Sequence, residues 1–361
     1  MPRGYVAQSS CRTVRRVAAL CAVGALCMLS NCYVLKQGVR LLEHRRRARP
    51  IEKVLADSTT SRDMRDFLRL VENVRRFAID SVGLADDNNF TELVHIDKDY
   101  LIDVVAACRA DSFEAYTRRY PFVGSFPYKG FYEKEDALDE AEKLRRKGYD
   151  VYVRRADAFS TLGILDDPLY SFMVDYSPYG LASLIIHEQT HATIFIKSRV
   201  QFNEELAVFT AREGALWFVR SVYGGESEVY RTSVGWIEDY ERFLDYLRTL
   251  YNELDTLYKS GLPREKTLTK KREILAEYQT RFAEQYDSMF VTDKFRDFAE
   301  RELNNAYLLS YMTYTRDLSL FYELYEQNDR DLHRTIEQLK ALPRKENDPK
   351  KFVRELLQHE G

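Results

Sequence analysis

The sequence predicts an α+β fold, mostly helical, with a small sheet and a long antiparallel helical hairpin in its C-terminal part. Three observations predict it. Apolar residues recur at helical spacing before about residue 85 and again after Ser177. Between these stretches, short apolar runs broken by turn residues fill about 88–132, and "YDVYVRRADAFSTLG" alternates as a strand does. From Trp236 to Leu257 the apolar positions step alternately by four and three, the spacing of a seam between two helices.

The first 32 residues differ from the rest: Arg3, Arg12, Arg15 and Arg16 precede the apolar run "VAALCAVGALCMLS", the make-up of a targeting segment. Its 14 residues are short for a bilayer, but reading on to Leu35 gives 19, so a cleaved signal and an uncleaved anchor both stay open. "LSNC" resembles a bacterial lipoprotein signal, which would lipidate Cys32, although Asn31 departs from the small residue usual before the cysteine. Either arrangement would attach the body to a membrane through an N-terminal lipid or helix, facing the periplasm. The expected organisation is therefore an anchor segment, 1–32, and one folded domain, 33–361, with the hairpin as an insertion over about 228–290.

Along the body, about 37–55 reads as a basic helix or connector broken at Pro50, and Arg45, Arg46, Arg47 and Arg49 could meet anionic headgroups. A helix over 64–84 carries Phe67, Leu68, Val71, Val74 and Phe77 on one side. After the small sheet, a helix over 133–147 ends at Gly148. Ser177 followed by Pro178 starts a helix that should run to about 197, and Asn203 is expected to cap the next one. The hairpin's first seam is Trp236, Tyr240, Phe243, Leu247, Leu250, Leu254 and Leu257. "SGLP" turns the chain, and Leu268, Leu275, Tyr278, Phe282, Tyr286 and Met289 return.

Composition narrows the function classes. Fifty-four basic against 57 acidic residues leave a net charge of −3, which gives no electrostatic case for nucleic acid. Cys11, Cys21, Cys27 and Cys32 lie at the N-terminus and only Cys108 in the body, so no internal disulfide framework is expected. No glycine-rich phosphate loop is visible.

The chemistry concentrates in "LASLIIHEQTHATIFI". On a helix, His187 and His191 point the same way and can hold one zinc ion, while Glu188 between them reaches the water on that ion. A catalytic site of this kind needs a third protein ligand. Glu204 and Glu205 lie close behind, and being adjacent they diverge by about 100°, so one of them aims at the ion. "NEELAVF" is similar to the stretch that supplies the third ligand in the glutamate-zincin clan, which favours Glu204. The gap of 13 residues from His191 is shorter than in that clan and keeps Glu205 open.

Several further blocks carry a resemblance to the bacterial family of predicted zinc aminopeptidases: "CYVLKQGVRLL", "PFVGSFPYKGFY", "GYDVYVRRADAFSTLGILDDPL", "LIIHEQTH", "FNEELAVF" and "NNAYLLSYMTY", in that order. The resemblance runs from Cys32 to beyond Phe321 and implies a zincin-like metallopeptidase core that removes N-terminal residues from a peptide substrate. Zinc would acidify its bound water, Glu188 would act as general base, and Tyr311 or Tyr314 would steady the oxyanion. The strand before the histidine helix is expected at the sheet edge, where a peptide could add against Ala158, Phe159 and Ser160. Phe159 stands where the family pattern has tyrosine. Asp157, Asp166, Asp167 and Glu205 are available for a substrate ammonium, although no G-x-M-E-N signature for that task is present. Two other readings remain: a non-catalytic membrane-attached lipoprotein scaffold that binds a partner through its hairpin, and a zinc hydrolase acting on a non-peptide amide or ester.

Overall fold

The computed structural model describes residue 33 and residues 36–120, 124–157, 166–312 and 317–359. The chain separates into two units, residues 1–48 and 49–361. In the first, a helix over 36–47 (α1) carries the arginine cluster, and Arg40 pairs with Glu43 at 2.9 Å. No helix among the described residues is long and apolar enough to cross a membrane. Cys32 and the segment before it lie outside the described residues.

The second unit begins with β1 (Arg49–Pro50), α2 (Ile51–Ala56) and α3 (Arg62–Phe77). Ser61 caps α3 by accepting from the Met64 amide, and Phe67, Leu68, Val71 and Val74 form its buried stripe. A π turn over Ala78–Val82 ends this helical run at Gly83, short of the expected boundary.

The predicted small sheet is in fact three. β2 (Glu92–Val94) sits between β1 and β8 (Leu169–Tyr170). A two-residue strand such as β8 is too short for an alternation signal. β3 (Ile102–Arg109) is the centre of the main sheet, flanked antiparallel by β6 (Tyr128–Phe131) and β7 (Tyr149–Ala156). β4 (Arg118–Tyr120) and β5 (Gly124–Phe126) form a separate ribbon. β3 is buried along nearly its whole length, as a strand covered on both faces must be. α4 (Lys134–Arg146) packs on the sheet and ends at Lys147 and Gly148, whose φ of +82° is the left-handed stop that glycine supplies. The other face carries Val104, Ala106, Tyr152 and Arg154 and meets the helix bearing Tyr307, whose ring lies edge-on to Tyr152 at 5.0 Å. β7 ends the strand order, so it is an edge strand among the described residues.

The remainder is helical: α5 (Pro178–Thr193), α6 (Val200–Tyr223), α7 (Glu228–Lys259), α8 (Arg264–Met289), α9 (Asn305–Met312), α10 (Ser319–Gln327), α11 (Leu332–Leu339) and α12 (Pro349–His359). α7 and α8 form the hairpin expected over about 228–290. Phe243, Leu247, Leu250 and Leu254 are buried against Leu275, Tyr278, Phe282 and Tyr286, and each such side chain contributes about 1.5–3 kcal/mol by leaving water. Lys271 breaks the expected apolar seam. It is only 6% exposed, pairs with Asp150 and donates to the Ala110 carbonyl at 3.0 Å, tying the hairpin to the main sheet. The two asparagines of "NNAYLLSYMTY" complete the tie: Asn304 donates to the Val151 carbonyl at 3.0 Å, and Asn305 to those of Arg109 and Ser112 at 2.9 and 3.1 Å.

Candidate metal centre

α5 starts where the sequence predicts. Ser177 accepts from the Gly180 amide at 3.1 Å, and Pro178 occupies the first turn, where its missing N–H costs nothing. It stops at Thr193, four residues early, where Ile194 turns extended and both Ile194 and Ile196 are buried. The link to α6 is held by a residue whose part the sequence hides. Asn203 does not cap α6, which begins three residues earlier. Its buried amide instead pairs with both backbone groups of Ile196 at 2.9 Å, accepting the N–H and donating to the C=O. These two hydrogen bonds clasp the link between the helices to the first turn of α6. Gly214 lets the two helices approach, since a Cβ there would lie 3.1 Å from Ile186 Cδ1.

This packing brings His187, His191 and Glu204 together, with one ligand atom of each within 4.8 Å of the others. His191 Nε2 is 3.1 Å from His187 Nε2, Glu204 Oε1 is 3.2 Å from His191 Nε2, and Glu204 Oε2 is 3.8 Å from His187 Nε2. A tetrahedral ion with ligands at about 2.0–2.1 Å has edges of about 3.3 Å; the two separations from His191 Nε2 are already close to that, while the approach of Glu204 to His187 is longer and made by its other oxygen. Two imidazole nitrogens and a carboxylate are also a donor set that zinc accepts. The three side chains are 20–34% exposed, so the centre is open to solvent on one side.

Glu188 lies against this group. Burial pushes its carboxyl up to about 7; His191 opposes the shift, while Asp167, Glu204 and Asp87 add to it. Glu205 is not brought to the histidines. It is fully buried, accepts from Gln201 at 2.9 Å and pairs with Lys350 of α12 at 2.7 Å. Of the two glutamates, Glu204 is thus the one that groups with the imidazoles.

Beside His187 opens a cavity of about 690 Å³, within the usual range for small-molecule sites. Tyr179, Ser183 and His187, one turn apart on α5, form one wall, and Tyr152 and Arg154 of the edge strand form another. Tyr311 lines it too, with its ring edge-on to Phe243 at 5.5 Å and its hydroxyl bonded to Tyr307; burial raises its pKa. Trp236 and Tyr240, expected inside the hairpin seam, line the cavity instead, and Tyr240 is 41% exposed. Their apolar spacing continues the seam pattern, so sequence alone could not separate a helix-facing ring from a cavity-facing one. Tyr314, Ala158, Phe159 and Ser160 lie outside the described residues.

A family model described as "Putative aminopeptidase" matches residues 32–353. The chain belongs to this family. The match spans all three members of the histidine–glutamate group, Glu188 and the cavity walls, and family membership suggests peptidase activity. No curated protein and no solved structure matches the chain significantly.

Proposed function

We propose that this chain is a zinc-dependent peptidase of the aminopeptidase type with a zincin-like core, attached to a membrane by its N-terminal segment and facing the periplasm. The observation that carries the reading is the convergence of His187, His191 and Glu204 around one point beside Glu188. His187, His191 and Glu204 would hold a single zinc ion, which when bound supplies Lewis acidity, polarising a carbonyl and making water acidic near neutral pH. Glu188 receives a proton from the attacking water on a carboxylate oxygen and passes it to the leaving amine; its burial keeps the proton exchangeable near neutrality. The Tyr311 hydroxyl, raised by burial and so protonated, can donate to the developing oxyanion. The outer edge of β7 offers backbone groups along which an extended peptide can align.

The test uses the full-length chain. One zinc per chain is expected by metal analysis, lost in His187→Ala and Glu204→Ala. Glu188→Gln should keep the metal and lose about 10³-fold or more in kcat. Peptides with free N-termini should be cleaved and blocked ones not. Full activity in Glu188→Gln would remove the proposed base, and equal cleavage of blocked peptides would remove the exopeptidase assignment.

A further inference from the structure

The charge of the cavity beside His187 has the wrong sign for an ammonium group. Its basic lining residues are Arg154, Arg212, Arg248 and Lys294, and its one acidic lining residue is Glu241. Glu241 is already committed to Arg212 at 2.6 Å, and Arg248 pairs with Asp245. Arg154 and Lys294 form no close ion pair among the described residues. Arg154 projects from the edge strand, half-buried, on the sheet face that carries Tyr152. Lys294 comes from the loop after the hairpin and stands, exposed, over the Trp236 ring at 4.6 Å; desolvation lowers its pKa and the buried Asp239 carboxylate opposes the shift. The acidic groups that crowd Glu188, Asp87 and Asp167, do not line this cavity. The site is therefore polarised, with carboxylates around Glu188 and an excess of cations in the cavity beside His187.

We propose that this cavity binds a carboxylate of a short peptide, with Arg154 and Lys294 as the residues that recognise it. The proposal rests on the peptidase reading for the peptide but on the cavity's own charge for the carboxylate. A guanidinium presents paired donors that match a carboxylate in two bonds, and an ammonium over an aromatic ring adds a second positive point in a partly desolvated setting. An α-ammonium there would meet four cationic side chains against one carboxylate, Glu241, that is already paired with Arg212. The carboxylate can be the C-terminus of a di- or tripeptide or the side chain of an acidic residue. The first source makes the substrate class very short peptides, and the second makes it acidic ones.

The experiment measures binding separately from turnover. Full-length chain is stripped of metal, and Ala-Ala-Ala, Ala-Ala-Ala-amide and Ala-Glu-Ala-amide are titrated by calorimetry; the same peptides are then assayed with zinc restored. The free acid should bind at least about ten-fold more tightly than its amide, and kcat/KM should follow the same order. A gain for Ala-Glu-Ala-amide over Ala-Ala-Ala-amide that equals or exceeds this assigns the carboxylate to a side chain. Arg154→Gln should abolish the difference between acid and amide. Lys294→Gln, changed on a surface loop, should reduce it several-fold even if the Arg154 variant fails to fold. Equal binding of all three peptides, or a carboxylate preference that survives both substitutions, overturns the proposal. Selective binding without hydrolysis by any metal-loaded form would instead remove the peptidase reading and leave the carboxylate site standing.

Discussion

Glu204 and Glu205 stand about 100° apart on α6, and that rotation separates their chemistry. Glu204 is one-third exposed and reaches both imidazoles; Glu205 is fully buried and held by Lys350 and Gln201. Burying a carboxylate is tolerable only with such partners, and removing its charge leaves the Lys350 ammonium, itself partly in water, without its pair. Glu205→Gln is therefore expected to cost about 2–4 kcal/mol in urea unfolding while the protein still binds metal. Glu204→Gln should do the reverse. Loss of metal in the Glu205 variant alone would exchange the two roles. The histidine pair is legible in sequence because its spacing is one helical turn, a local property. The phase of α6 is not local. At its start the Asn203 amide closes on Ile196, and an asparagine before two glutamates reads as an ordinary cap until the backbone it clasps is seen.

Among the elements, the α7–α8 hairpin was readable as a pair of matching seams, whereas the contacts that place it were not. Asp239, on α7, is fully buried and collects the chain that leaves α8. Its carboxylate accepts from the amides of Val291 and Thr292, from the Thr292 hydroxyl at 2.6 Å, and from Arg242 at 2.9 Å. Gly235, one turn earlier, leaves room for that strand of chain, since a Cβ there would come within 3.1 Å of Val291 Cγ2. Burial alone would raise the Asp239 carboxyl, but the hydrogen bonds from Thr292, Val291 and Arg242 outweigh it, so its pKa is lowered. A lowered folded pKa means stability that is fully present above the unfolded value of about 4 and is lost as pH falls through the folded one. Asp239→Ala should thus cost about 2–4 kcal/mol at pH 7, and the gap to the parent protein should narrow at pH 3. Urea unfolding at both pH values checks this; a gap as large at pH 3 as at pH 7 would exclude the ionised carboxylate as its source. Because this loop also carries Lys294, the same variant should disturb the cavity mouth.

At the scale of the 49–361 unit, the centre is assembled from parts far apart in sequence: two adjacent helices give the donor atoms, an edge strand gives one cavity wall, and the hairpin with α9 gives the others. Element types were readable because helical and alternating periods are written locally. The division of the strands into three sheets, the cavity-facing turn of Trp236 and Tyr240, and the buried Lys271–Asp150 pair were not, since each depends on which distant surface arrives opposite. The metal group has the same non-local character, and this sets its energetic role. The unfolded chain does not hold His187, His191 and Glu204 within 4.8 Å, so an ion that binds them binds the folded state selectively and must stabilise it. At free zinc 100 times the dissociation constant, the gain is about 2.7 kcal/mol, a shift of several degrees in Tm. Chelation should lower the melting temperature of the full-length chain by that amount and zinc should restore it. Glu188→Gln should show the full shift, because Glu188 is not among the three converging side chains, and His187→Ala should show almost none. A shift that persists in His187→Ala would mean that the stabilising ion sits elsewhere, and the convergence of the three side chains would then be only an ion pair between α5 and α6.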